Sequence, residues 1–212
     1  MGILQQIGDP FLHLDTHLAA VISAFGVWTY VFLFLIVFCE TGLVVTPFLP
    51  GDSLLFAAGA FAARGDLHAG ILFLSFAAAA ILGDSVNYAV GHFLGPQVLE
   101  RRMHLIKHAH VMRAHAFYEK HGGKAIILSR FVPIVRTFAP FVAGVGEMQY
   151  RQFLAYNVIG GLIWVSLFLF GGYFFGNIPV VKENFEFVIL GIVVVSVLPM
   201  LVGWIRSRVR HG

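Results

Sequence analysis

From Gln152 to Val181 the chain runs for thirty consecutive residues without a charged side chain. As an α-helix rising about 1.5 Å per residue, that stretch overruns the roughly 30 Å hydrocarbon core of a bilayer. Leu18–Cys39 and the run 187–205, closed by Arg206, Arg208 and Arg210, have the same character. Only 12% of the 212 residues are charged and 58% are hydrophobic, whereas an average soluble domain carries about 25% charged residues. So few charges cannot cover the surface of a soluble monomer of this size, and the composition specifies an integral membrane protein. Twenty-two phenylalanines are the opposite of a disordered composition. The single cysteine, Cys39, rules out a disulfide framework and any cysteine-based metal site. A net charge of +3 is too weak to argue for nucleic acid. Asp9 and Asp15, with no basic stretch ahead of an apolar run, argue against a cleaved signal peptide.

The expected fold is all-α and polytopic. Plain spans are predicted at 18–39, 69–99, 152–181 and 187–205. Two further apolar segments are broken. Segment 41–63 contains Pro47, Pro50 and Asp52, and segment 125–146 contains Arg130, Pro133, Arg136 and Pro140. Proline removes a helical hydrogen bond and clashes with the preceding turn, and irregular backbone at membrane depth persists only inside protein or beside a wet cavity. These two segments therefore read as re-entrant helical hairpins. Interrupted segments at corresponding places in two halves point to an inverted-repeat transporter with its site near the midplane.

Basic residues set the orientation. Segment 100–124 holds Arg101, Arg102, Lys107, Arg113, Lys120 and Lys124 and is expected on the cytoplasmic side, with the C-terminal arginines beside it. The connector Lys182-Glu183-Asn184-Phe185-Glu186 has one base against two acids and is expected outside. Counting back from these, the hairpins enter from opposite faces and both termini lie in the cytoplasm.

The hairpin charges are Glu40 and Asp52 on one side, Arg130 and Arg136 on the other. Each unpaired charge at the bilayer centre costs about 2.5–3.5 kcal/mol on insertion scales, so four would cost about 10 kcal/mol or more. Two acids and two bases cancel, and opposed hairpins would bring them together. They read either as ion pairs that close the fold or as a transport site. In the second reading the arginines hold an anionic headgroup, since the guanidinium fork donates two hydrogen bonds at once to a phosphate. The carboxylates would then exchange protons, because a dry cavity disfavours a charged carboxylate. Asp84 and Tyr88, one turn apart, and Asn157 are candidates for a supporting layer around the arginines. Gly91 and Gly95 form a small-xxx-small pair suited to close helix packing, and Asn157, Gly160, Gly161 and Trp164 read chiefly as interhelical contacts.

Several of these residues together resemble a known family. In the first half they are Glu40, Phe48-Leu49-Pro50-Gly51-Asp52, Gly83-Asp84, Tyr88, Gly91 and Gly95. In the second half they are Ser129-Arg130-Phe131-Val132-Pro133, Arg136, Ala143-Gly144, Met148, Phe153, Asn157, Gly160 and Trp164. Over about residues 25–175 this pattern resembles the DedA family of bacterial inner-membrane proteins, related to eukaryotic VTT-domain scramblases. The resemblance implies lipid translocation that depends on the proton motive force. Its substrate would be a polyprenyl phosphate such as undecaprenyl phosphate, or alternatively a phospholipid such as phosphatidylethanolamine. It also implies functional roles for Glu40, Asp52, Arg130 and Arg136, with Asp52 standing where the family often carries Glu. The expected partners are a lipid with an anionic phosphate headgroup and the surrounding membrane lipids, and a homo-oligomer stays open. No cofactor, metal or nucleic acid is expected.

Residues 98–121 form an amphipathic stretch with His104, His108, His110, His115 and His121. His104 and His108 have the spacing of a metal pair, but no acid lies between them as in HExxH, and a headgroup-facing interfacial helix is the simpler reading. An enzyme is the competing class. Ser129-Arg130 weakly resembles the start of a lipid-phosphatase motif, yet that chemistry needs a histidine nucleophile and a second histidine as acid. Arg136 stands where the histidine would be, and the chain contains no Ser-Gly-His.

Overall fold

The computed structural model describes residues 24–43, 51–101, 119–146, 148–184, 187–188 and 191, with the side chains of 94–101, 133, 134 and 182 left undescribed. Every regular element among these residues is helical, and none is a strand. In chain order they are α1 (Val27–Gly42), α2 (Gly51–Arg64), α3 (Ala69–Arg101), a 3₁₀ turn at Gly122–Lys124, α4 (Ala125–Ser129), α5 (Pro133–Val145), α6 (Tyr150–Val165), a π-helical turn at Ser166–Phe170, α7 (Gly171–Gly176) and α8 (Pro179–Glu183). Ala69–Phe93 and the continuous helical stretch Tyr150–Gly176 are each long and apolar enough to cross a bilayer. The expected spans 18–39 and 187–205, the break of hairpin 41–63 and most of segment 100–124 fall wholly or partly outside the described residues. So do four of the five clustered histidines; only His121 is described.

The chain divides into two units. One takes Met1–Val31, Pro50–Leu72 and Phe168–Gly212. Within it, α2 lies against α7 at a distance only glycine allows, because a Cβ on Gly172 would run into the backbone carbonyl of Phe56. Helix α2 begins with Asp52 in its first turn, where a carboxylate faces the positive end of the helix dipole. It stops at Gly65, whose φ of +91° suits glycine, with Asp66 N–H returning to the Phe61 carbonyl at 3.2 Å in a Schellman-type cap. The charge-free run continues to Val181, but the helix closes at Gly176, and a turn at Asn177–Ile178 leads into Pro179 at the start of α8. The residue ahead of a proline is pushed out of the helical region, and Ile178 is extended.

The second unit takes Phe32–Leu49 and Phe73–Leu167. Its core is built on Tyr88, Ile126, Phe138, Phe141, Met148 and Phe153. Helix α5 crosses α3 in close contact. A Cβ on Gly91 would strike the Phe141 carbonyl, and one on Gly144 would strike the Tyr88 carbonyl. Gly91 therefore finds its small partner in Gly144. Segment 125–146 is broken as its prolines predict: α4 ends at Ser129, Arg130–Val132 form a turn, and Pro133 opens α5. Val132 is extended (φ −118°, ψ 104°), the geometry a following proline imposes. In both units large apolar side chains lie bare, among them Trp28, Leu74, Phe93 and Phe174, as expected of a surface solvated by lipid.

Candidate functional site

The break in segment 125–146 decides where the two arginines go. Arg130 caps the C-terminus of α4, and Arg136 lies in the first turn of α5. Both guanidinium groups are directed into the interior of the second unit, and each meets a carboxylate. Arg130 Nη2 lies 2.6 Å from Asp84 Oδ2 on α3, and Arg136 Nη2 lies 3.0 Å from Glu40 Oε1 at the end of α1. Glu40, Asp84 and Arg130 are buried and Arg136 is partly buried. Arg136 is the most open of the four, at 13% exposure against 5% for Arg130.

Helix α6 supplies the surface on which both arginines rest. Asn157, Gly160, Gly161 and Trp164 fall at i, i+3, i+4 and i+7, a single helical face. Arg130 Nη2 donates to Asn157 Oδ1 at 2.5 Å. The Asn157 amide nitrogen in turn donates to the Ile81 carbonyl at 3.0 Å, so the asparagine is held in the orientation that accepts from the arginine. The glycines make room for the arginine stem. A Cβ on Gly160 would lie 3.3 Å from Arg130 Cδ and 3.1 Å from Ile127 Cα. Trp164 is 1% exposed and lies against both cations, with its ring centroid 4.9 Å from Arg136 Cζ and 6.0 Å from Arg130 Cζ. The face of an indole attracts a cation, and one ring thus steadies two like charges.

A second layer of amides ties the elements together. Asn87, fully buried on α3, donates to the Thr137 carbonyl at 2.8 Å and to the Thr41 carbonyl at 3.4 Å. It thereby joins α1 and α5 beside the ion pairs. Pro140, within α5, has no N–H to offer the carbonyl one turn back, which is that of Arg136. Arg130 Nε and Asn87 Oδ1 are buried here with no hydrogen-bond partner among the described residues.

Glu40, Arg130 and Arg136 thus share one polar centre. Asp84, expected in the supporting layer, is itself the counter-ion of Arg130, and Asn157 supports that arginine directly. Tyr88 lies in the aromatic core, donating its hydroxyl to the Met148 carbonyl and stacking on Phe153 with centroids 4.5 Å apart. Asp52 belongs to the other unit, where it lines a cavity of about 440 Å³ with Phe56, Phe168 and Phe175. Asn87 is the site residue that sequence reasoning passed over, and Trp164 was read there as an interhelical contact. Trp164 lies two turns beyond Asn157 on the same face, and that spacing was the available signal.

A membrane protein with two carboxylate-held arginines on a conjoined α1–α3–α5–α6 framework can be compared with known proteins. The VTT domain matches residues 49–174, a range that contains Asp84, Arg130, Arg136, Asn157 and Trp164. Protein DedA of Escherichia coli K12 is 54% identical over 211 residues, covering 98% of this chain and 96% of that protein. The chain belongs to the DedA family. Among other members, an uncharacterized membrane protein of Mycobacterium tuberculosis H37Rv is 43% identical over 206 residues, covering 96% of this chain and 88% of its own. Inner membrane protein YqjA of Escherichia coli K12 is 37% identical over 182 residues, covering 85% and 82%. No solved structure matches this DedA-family chain.

Proposed function

We propose that the chain is a membrane translocase for a lipid with a phosphate headgroup, a polyprenyl phosphate such as undecaprenyl phosphate, and that transport is coupled to the proton motive force. The observation that carries this reading is the pair of inward-facing guanidinium groups on one indole, each paired with a carboxylate. Such an arrangement is a closed anion site. A phosphate diester or monoester offers the same planar pair of acceptors as a carboxylate, so it can take the place of Glu40 or Asp84. Protonating the displaced carboxylate removes its claim on the arginine and avoids leaving an uncompensated charge in low dielectric. Proton entry at Glu40, with Asp52 as a second proton-exchanging carboxylate, would then free the clamp for substrate or reset it empty. The isoprenoid tail would remain in lipid throughout.

This reading places four spans and two re-entrant hairpins in the bacterial inner membrane, with the basic segment 100–124 and both termini cytoplasmic. It assigns transport and no covalent chemistry.

The test uses purified protein in proteoliposomes carrying a fluorescent polyprenyl phosphate, with leaflet exposure read by chemical quenching. Arg136→Lys is expected to slow translocation at least tenfold, because lysine keeps the charge and loses the fork. Glu40→Gln is expected to abolish acceleration by an imposed pH gradient. Wild-type rates in both Arg130→Lys and Arg136→Lys would overturn the clamp. Equal rates for fluorescent phosphatidylethanolamine and the polyprenyl phosphate would replace it with a phospholipid scramblase.

A further inference from the structure

A second binding site lies in the same unit, away from the ion pairs. A cleft of about 740 Å³ opens between residues 85–93 of α3 and the start of α6. Its lining includes Ser85, Tyr88, His92, Phe93, Gln149 and Tyr150. This volume falls within the range of small-molecule sites, about 300–1,000 Å³. We infer that this cleft is an interfacial docking site for the phosphate headgroup of a membrane lipid, from which the headgroup passes to Arg130; the inference rests on the translocase reading above.

Position is the first argument. Helix α6 begins at the cleft, directly after Gln149, and Tyr150 stands exposed there, as does Phe93. Tyrosine is a residue of the membrane–water interface, where lipid headgroups are found. His92 is held between Tyr88, stacked at 6.0 Å, and Phe93, edge-on at 5.0 Å, so its imidazole is fixed at the mouth.

The second argument is chemical. Among the described lining residues, the Gln149 amide, the His92 imidazole and the Tyr150 hydroxyl can each donate a hydrogen bond to a phosphate oxygen, and no carboxylate stands among them to repel it. The wall formed by Tyr88, Phe93 and Tyr150 accepts the first carbons of a lipid chain.

The third argument is connection. Ser85, at the inner end of the cleft, lies seven residues from His92, and Asn157 lies seven residues from Tyr150. Each step is about 10 Å along its helix. Asn157 Nδ2 approaches Ser85 Oγ at 3.5 Å, and Asn157 Oδ1 accepts from Arg130. Ser85 also adjoins Asp84, the counter-ion of Arg130. The cleft therefore leads by one serine and one asparagine to the guanidinium whose Nε has no hydrogen-bond partner among the described residues.

Binding of radiolabelled farnesyl phosphate to the full chain in phosphatidylcholine nanodiscs tests the site, with farnesol and inorganic phosphate as competitors. Wild-type protein is expected to bind farnesyl phosphate, with each competitor at least tenfold weaker. Ala89 lines the cleft, and Ala89→Phe fills it without altering an ion pair; a loss of at least tenfold in affinity is expected. Should Ala89→Phe fail to fold, the double variant His92→Ala/Gln149→Ala at the exposed rim decides by the same threshold. Unchanged affinity in the folded plug or rim variant overturns the docking site, whatever transport does. Displacement by inorganic phosphate as strong as by farnesyl phosphate also overturns it, because the site would then read free phosphate and not a lipid. Lost binding in Ala89→Phe with normal transport in Arg130→Lys and Arg136→Lys supports the cleft and removes the clamp, so the two readings fail separately.

Discussion

Replacing Asp84 with asparagine isolates the charge of the Arg130 pair, because the amide keeps the shape and one acceptor oxygen. In the wild type the pair is 2.6 Å apart, with side-chain exposures of 5% and 6%. Removing one member of a buried pair strands the other charge and costs about 3–5 kcal/mol. The bond from Arg130 to Asn157 at 2.5 Å and the contact with Trp164 survive the change, so the loss falls at the low end, about 3 kcal/mol. That is roughly a hundredfold in the folding equilibrium. The molecule supplies its own control in Arg64–Asp66, a pair 3.4 Å apart with exposures of 25% and 23%. Asp66→Asn there is expected to cost less than about 1 kcal/mol. Reversible unfolding in mixed detergent micelles, followed by circular dichroism, measures both. The double variant Asp84→Asn/Arg130→Gln removes both charges together and is expected to recover most of the loss, giving a coupling energy of about 2 kcal/mol or more. Equal costs for Asp84→Asn and Asp66→Asn, or strict additivity in the double variant, would refute the argument that burial makes the Asp84–Arg130 pair costly to break.

Trp164→Phe retains an aromatic face beneath Arg136 and is expected to keep at least a third of the wild-type translocation rate, whereas Trp164→Ala loses tenfold or more in the same quenching assay; equal rates would remove the ring from the site. Gly144→Val places a side chain against the Tyr88 carbonyl and is expected to destabilise the unit by about 1–3 kcal/mol, read as a lower detergent-unfolding midpoint. Gly160→Ala brings a methyl group to 3.3 Å from Arg130 Cδ and 3.1 Å from Ile127 Cα, and is expected to slow transport more than it lowers the unfolding midpoint. Arg136→Lys, as above, is expected to reduce transport at least tenfold with little change in that midpoint, because the ammonium still reaches Glu40.

The family and the membrane setting were legible in the residue pattern, and so was the break at Arg130–Val132. Proline at 133 leaves the preceding residue little choice but extended backbone, whatever surrounds it. The pairing of charges was less legible. Glu40, Asp52 and Asp84 were all candidate acids, and charge balance alone does not say which two meet the arginines. Asp84 looked like support because it lies on an otherwise plain span. It is the partner of Arg130 because α3 carries it to the same level as the helix break, beside Asn157 of α6. Trp164 was read as packing for a similar reason, since a tryptophan in an apolar run carries no mark of what its ring will face.

Local chemistry by itself determined that this chain is helical, that it belongs in lipid and that one apolar segment must break around two arginines. Proline, charge and hydrophobic length act within a few residues or one turn, so they can be read along the chain. Which carboxylate neutralises which guanidinium, that one indole lies against both, and that a cleft forms between α3 and the start of α6 were decided only by tertiary packing. Those outcomes depend on how closely α3 approaches α5, through Gly91 and Gly144, and on distances of a few ångströms between residues dozens of positions apart.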